Sequence, residues 1–253
     1  MLTLEDYNSR KASFLGDSNF PHSVDKYVKG LRIEMFQDLY ERYSRLALSY
    51  PSDRSMAIRG LESRLLSTFG SAGGVGVFDI YLHRSLLWQR ASETLRAITN
   101  FRGIPVPSWS WMAYDGPIQY MAIPFGEVVW ADDIVSPLWN DKNQYIGVGD
   151  GRRDQDIATA PLELNVQIWG LIDANSGQKV MDEPSRTFDQ PIRCVVLGRS
   201  KVPPIDESQN HWVLLVHSKQ DVEDAAVYER VGVAVLEKRH IDFDKLLGRV
   251  RVQ

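Results

Sequence analysis

The chain has a single cysteine, Cys194, in 253 residues. One thiol excludes an internal disulfide framework, and neither a CxxC pair nor a His/Cys cluster at zinc-finger spacing is present to hold a structural metal. No run approaches the ~18 consecutive apolar residues that a membrane-spanning helix requires. The first residues lack the basic patch and apolar core of a secretory leader, and no Asn-x-Ser/Thr sequon occurs. A cytoplasmic protein is the expectation. Positive charge is not in excess either: 29 Lys and Arg stand against 33 Asp and Glu, a net charge of −4. The cations are scattered among the acids, so nucleic acid and membrane surfaces are not expected partners. Residues 70–76, Gly-Ser-Ala-Gly-Gly-Val-Gly, lack the Gly-Lys-Ser/Thr ending of a phosphate-binding loop and follow a helical pattern rather than a strand. They read as a flexible linker.

What is present suits a packed globule. Hydrophobic residues make up 43% and charged residues 25% of the chain, enough for one substantial core or two smaller ones. Residues 1–22 read as an extended arm. From Ser23, a plausible N-cap, to Leu48, the positions Val24, Tyr27, Val28, Leu31, Met35, Leu39, Tyr43 and Leu46 recur every three or four residues, the stripe of an amphipathic helix. Pro51 ends it, and Ser52 or Asp53 caps a second helix carrying Ile58, Leu61, Leu65 and Leu66. A third is expected over residues 77–98.

Near Pro105 the helical spacing fades. Short β-branched or alternating runs follow at 118–123, 128–134, 162–172, 192–197, 212–216, 231–236 and 250–252, separated by turn-rich stretches that include 139–143, 149–156 and 175–177. The expected fold is therefore α+β: an N-terminal helical segment of about three helices (1–104) packed on a C-terminal antiparallel β-sandwich or barrel (105–253), together one compact unit.

The motif Pro107-Ser-Trp-Ser-Trp111 places Trp109 and Trp111 two apart, on one side of an extended chain. They serve either to seal the junction between the two halves or to wall an apolar pocket. Asp115-Gly116-Pro117 is turn chemistry. His83 lies beside the Leu86-Leu87-Trp88 stripe, and His211 and His217 flank an apolar run at a separation too long for one metal. Neither a metal nor a cofactor is expected.

Four blocks resemble a known family. Tyr40-Glu-Arg-Tyr-Ser-Arg45 with Tyr50-Pro-Ser-Asp-Arg54 and Ala57-Ile-Arg-Gly-Leu61 comes first, then Tyr81-Leu-His-Arg-Ser-Leu-Leu-Trp88. Pro107-Ser-Trp-Ser-Trp111 with Asp115-Gly116 is the most specific, and Tyr228-Glu-Arg-Val-Gly-Val-Ala234 closes the series. In this order they are similar to the region that follows the HET domain in fungal heterokaryon-incompatibility proteins. The HET domain, the family's trigger of cell death, is not expected in this chain. The resemblance implies an interaction or regulatory module. Set against it is a stand-alone tailoring enzyme of fungal secondary metabolism. This would be a cofactor-independent cyclase or pericyclase of Diels-Alder type, which holds a small apolar terpenoid or polyketide in a reactive conformer and needs no triad, metal or nucleotide. On that reading His83 and Tyr120 are the polarising catalytic groups, and Trp109, Trp111, Tyr114 and Asp115 bind the substrate.

Overall fold

The computed structural model describes residues 28–93, 95–99, 106–137, 164–172, 177–219 and 227–253. The expected arm at 1–22, the cap at Ser23, the turns at 139–143 and 149–156 and most of the turn at 175–177 lie outside the described residues, as does the expected boundary at 104/105.

Two helices open the described fold. Helix α1 (Lys29–Ser44) buries Leu31, Met35, Phe36, Leu39 and Tyr40. A 3-10 turn at Pro51–Asp53 leads into α2 (Arg54–Phe69), with neither Ser52 nor Asp53 making a side-chain cap to the helix. Helix α2 stops at Gly70, which has the left-handed φ of 59°. Gly70 N and Ser71 N donate to Ser67 O and Leu66 O, the paired bonds of a Schellman ending.

The glycine-rich segment expected as a linker is instead a tight hairpin of β1 (Gly73–Gly74) and β2 (Val77–Phe78). Its two turn residues, Val75 and Gly76, have φ of 48° and 84°. Two positive φ angles match the twist of a two-residue hairpin, and for β-branched Val75 that conformation is strained.

The expected third helix over 77–98 is absent. In its place stand β2, a 3-10 turn at Asp79–Tyr81, the five-residue α3 (Leu82–Leu86), β3 (Trp88–Arg90) and β4 (Arg96–Ala97). Leu86, Leu87 and Trp88 are all fully buried, and three consecutive residues cannot share one face of a helix. The chain solves this by leaving the helix at Leu87: Leu86 and Leu87 enter one core and Trp88 another. Strand β3 pairs with β6 (Ile118–Tyr120), and β4 with β5 (Tyr114–Asp115). Residues on both sides of 105 thus build one body. The outer edge of β6 is closed by α1, where Ser44 Oγ accepts from Ile118 N at 3.0 Å and Glu41 Oε1 from Tyr120 N at 2.8 Å. Strand-edge donors that would otherwise be unpaired are satisfied by two helix side chains.

The remaining strands form a seven-stranded sheet of β7 (Val128–Trp130), β8 (Leu164–Leu171), β9 (Gln178–Met181), β10 (Arg193–Ser200), β11 (Asn210–Ser218), β12 (Val227–Glu237) and β13 (Ile241–Val252). Its pairing order is β11-β10-β8-β13-β12-β9; β11 also pairs with β12, and β7 adds to β10. The expectation of a purely antiparallel sheet is corrected at one place: β12 and β13 run parallel at Val227↔Arg251 and Tyr228↔Val252. Strand β11 is buried on both faces. Trp212, Leu214 and Val216 meet Val166, Ile168, Val233 and Val250, while Val213 and Leu215 meet Cys194, Val231, Ala234 and Leu236. This double burial explains its unbroken apolar run.

Arg230 of β12 joins the sheet to the helical body. Its side chain is fully buried. Nε and Nη2 donate to the Asp182 carboxylate at 2.9 and 3.2 Å, Nη1 donates to Leu86 O at 2.8 Å, and Nη2 also reaches Trp88 O. The guanidinium carbon lies 3.2 Å from the centroid of the Trp88 ring. The Arg230 backbone N donates to Ser108 Oγ, whose hydroxyl in turn donates to Gln253 O. Removing one partner of such a pair strands the other charge in the interior. Arg230→Met should therefore lower the urea-unfolding free energy by about 3–5 kcal/mol, and Arg230→Met/Asp182→Leu should recover part of the loss. A loss below about 1 kcal/mol in the single variant would show that the clamp contributes little.

Candidate functional site

Strand β10 changes partners along its length. It meets β8 at Cys194↔Trp169, passes a bulge between Val196 and Gly198, and then pairs with β7 at Gly198↔Trp130, Arg199↔Val129 and Ser200↔Val128. Where β10 leaves β8 for β7, a groove of about 390 Å³ opens, within the size range of small-molecule sites. Trp130, Trp169, Val196 and Phe243 give it apolar surface; Gln167, Arg199, Gln209, His211, Lys238, Asp132 and Asp133 give it polar groups. The Trp169 and Phe243 rings lie 5.3 Å apart, and Phe243 is 5.3 Å from the His211 ring. Gly198 is required here, since a Cβ would come within 2.8 Å of the Trp130 ring and of Val128.

His211 is the buried titratable group of the groove. Its Nδ1 is 2.9 Å from Gln209 O. A carbonyl only accepts, so Nδ1 carries the proton and the neutral ring offers Nε2 as an acceptor. Burial pushes the His211 pKa down; the bond to Gln209 opposes this, and the nearby charges of Arg199 and Lys238 push it down further. The ring is therefore neutral at physiological pH.

The six residues singled out from sequence do not converge on this groove. Trp109 and Trp111 are both fully buried, but the segment is a turn followed by a 3-10 turn at Trp111–Ala113 rather than an extended strand. The two indoles consequently point into different cores, Trp109 against the sheet and Trp111 against the helices. Tyr114 packs on Trp88 with ring centroids 5.4 Å apart. Asp115 is 45% exposed and pairs with buried Arg54 at 3.0 Å. Tyr120 is buried against Phe36. His83 is adjacent to the groove: its Nε2 lies 2.8 Å from Ala131 O and its ring 5.3 Å from that of Trp130. Its Nε2 proton is thus spent on the groove wall, and burial lowers its pKa.

The sequence reading did not group the groove residues Arg199, His211, Trp169 and Phe243. They lie on four strands, and the β10–β11 register that joins Arg199 to His211 passes through a bulge. The sequence signals were His211 at the edge of an apolar run and the richness in tryptophan, seven in all, which includes Trp130 and Trp169.

A second polar cluster is closed to solvent. Glu62, buried in α2, accepts from Gly76 N at 2.6 Å and from Tyr40 Oη at 3.3 Å. Trp111 lies 5.2 Å from Tyr40 and 6.0 Å from Tyr43, ring to ring, and presses on Gly76, where a Cβ would meet its Nε1 at 2.3 Å. Ser110 Oγ–H donates to Val75 O at 2.6 Å. These contacts hold the strained hairpin. Together with Arg54–Asp115 and Ser44–Ile118 they bring Tyr40-Glu-Arg-Tyr-Ser-Arg45, Tyr50-Pro-Ser-Asp-Arg54 and Pro107-Ser-Trp-Ser-Trp111 to one place. Glu62, Tyr40, Ser110 and Trp111 are each no more than 3% exposed.

Comparison of the chain with family models, with curated proteins and with solved structures finds no match in any of the three.

Burial raises the Glu62 pKa, against the pull of the Gly76 and Tyr40 hydrogen bonds. A carboxyl whose folded pKa is raised contributes stability below its unfolded pKa, ~4.3, and loses it as pH rises through the folded value. Between pH 5 and 8, the stability of Glu62→Gln should therefore move in the variant's favour relative to wild type, read by urea unfolding. A difference that does not change with pH would contradict the raised value.

Proposed function

We propose that this chain is a binding module that holds a small apolar molecule in the groove between β7, β8 and β10. The observation that carries this reading is the set of aromatic faces, Trp130, Trp169 and Phe243, gathered at an open groove of about 390 Å³ with convergent polar groups. The pairings β8-β10-β11-β12-β13-β8 return to their starting strand, and on our reading these five strands form a small barrel with the groove at its mouth, a usual place for a ligand. The blocks that resemble the region after the HET domain of heterokaryon-incompatibility proteins supply the framework contacts around Trp111 and Trp88. That supports a shared scaffold and leaves the groove free to differ in what it binds.

A cyclase in the same groove is the second reading. His211 favours it, because a neutral imidazole with an accepting Nε2 beside aromatic walls suits the shaping and proton handling of an apolar substrate.

The neutral naphthalene dye prodan tests the binding reading. Wild type should bind it saturably with blue-shifted emission, and Trp169→Ala and Phe243→Ala should each weaken binding about tenfold, ~1.4 kcal/mol. Absent binding, or binding indifferent to both substitutions in variants that retain the native circular dichroism, would overturn it.

A further inference from the structure

We propose that the groove is built for an apolar ligand bearing a carboxylate, with the carboxylate seated on Arg199 and His211. This inference rests on the groove being a binding site and adds the chemical class of its occupant.

The strand register carries the argument. Arg199 and His211 are direct cross-strand partners on β10 and β11, and both line the groove with Lys238 beside them. Lys238 is committed to Glu207 at 2.6 Å. Arg199 is exposed and makes no ion pair with a described residue. Facing cationic or protonatable groups with no counter-ion between them are electrostatically unfavourable, and an arriving carboxylate relieves that. A guanidinium also presents the planar pair of donors that a carboxylate matches.

The acids of the groove lie away from this end. Arg199 is opposite Val129, whereas Ala131 N donates to Leu197 O. Asp132 and Asp133 therefore continue toward the Val195–Val196 side, and a ligand with its carboxylate at Arg199 avoids them. Between the two ends lie the Trp169 and Phe243 faces, which suit a flat or polycyclic apolar body. With Nδ1 donating to Gln209 O, His211 Nε2 carries a lone pair in the free protein. On taking a proton it becomes a second donor to the carboxylate, so anion binding draws a proton onto the ring.

Titration calorimetry with 2-naphthoate, 2-naphthalenemethanol and acetate separates the possibilities. The acid should bind wild type at least about tenfold more tightly than the alcohol. Arg199→Gln, at an exposed position, should abolish that preference and leave the alcohol unchanged, while Lys238→Gln should largely retain it. Acetate alone should show no measurable binding, since the apolar body supplies most of the affinity. Equal binding of acid and alcohol to wild type, a preference that survives Arg199→Gln, or acetate binding as tightly as the naphthoate would overturn the carboxylate inference and leave the groove a binding site. Failure of both naphthalene probes to bind would overturn the underlying reading as well.

Discussion

A buried guanidinium sets the constraint on which the rest of the structure depends. Arg230 carries a full charge into a site with no solvent, and such a charge is tolerable only with nearly every donor occupied. Its partners come from three places in the chain: the Asp182 carboxylate after β9, the Leu86 carbonyl at the end of α3, and Trp88 of β3, which offers both its carbonyl and its indole face. Satisfying them fixes where α3 must stop, which way Trp88 must face and how β12 sits against the helical body. Trp88 passes the constraint on, because its indole N–H donates to Trp109 O at 2.9 Å and so orients the turn that sends Trp109 and Trp111 into separate cores.

From that junction the two sides follow different logic. On the helical side, polar groups inside the core hold backbone in place: Glu62 and Ser110 keep the Val75–Gly76 turn, and Glu41 and Ser44 close the edge of β6. Each of these four side chains is engaged in holding backbone. On the sheet side, β10 is shared between β8 and β7, and the divergence leaves side chains that the fold does not consume. Arg199, the Nε2 of His211 and the aromatic faces around them are groups with capacity to spare, which is what a ligand site needs and a framework does not.

Sequence periodicity revealed the elements that obey a simple rule. Helices α1 and α2 follow their apolar stripes, and β8, β10, β11 and β12 lie on runs that alternate or are wholly apolar. What stayed hidden depends on partners far away in the chain. Leu86-Leu87-Trp88 reads as one helical stripe until two cores are known to compete for it, and residues 70–76 read as a linker until Glu62 and Trp111 are found to pin them. Strand β9 is too short and too exposed to show a period. The tryptophan motif stands out by composition, and its two indoles are fully buried in different cores. Of the groove residues, Arg199 and His211, with ordinary neighbours in sequence, meet through a bulged register between β10 and β11, and the aromatic walls come from three further strands.

The central claim is that the ligand site lies at the β7–β8–β10 divergence and that the buried tryptophans are framework. Indole N–H resonances report on this directly, because each of the seven tryptophans gives its own signal in a nitrogen-15 correlation spectrum. Titration with 2-naphthoate should shift Trp130 and Trp169 in a saturable way and leave Trp88, Trp109 and Trp111 in place. Shifts confined to Trp109 and Trp111 would contradict the account and return the site to the junction between the two halves.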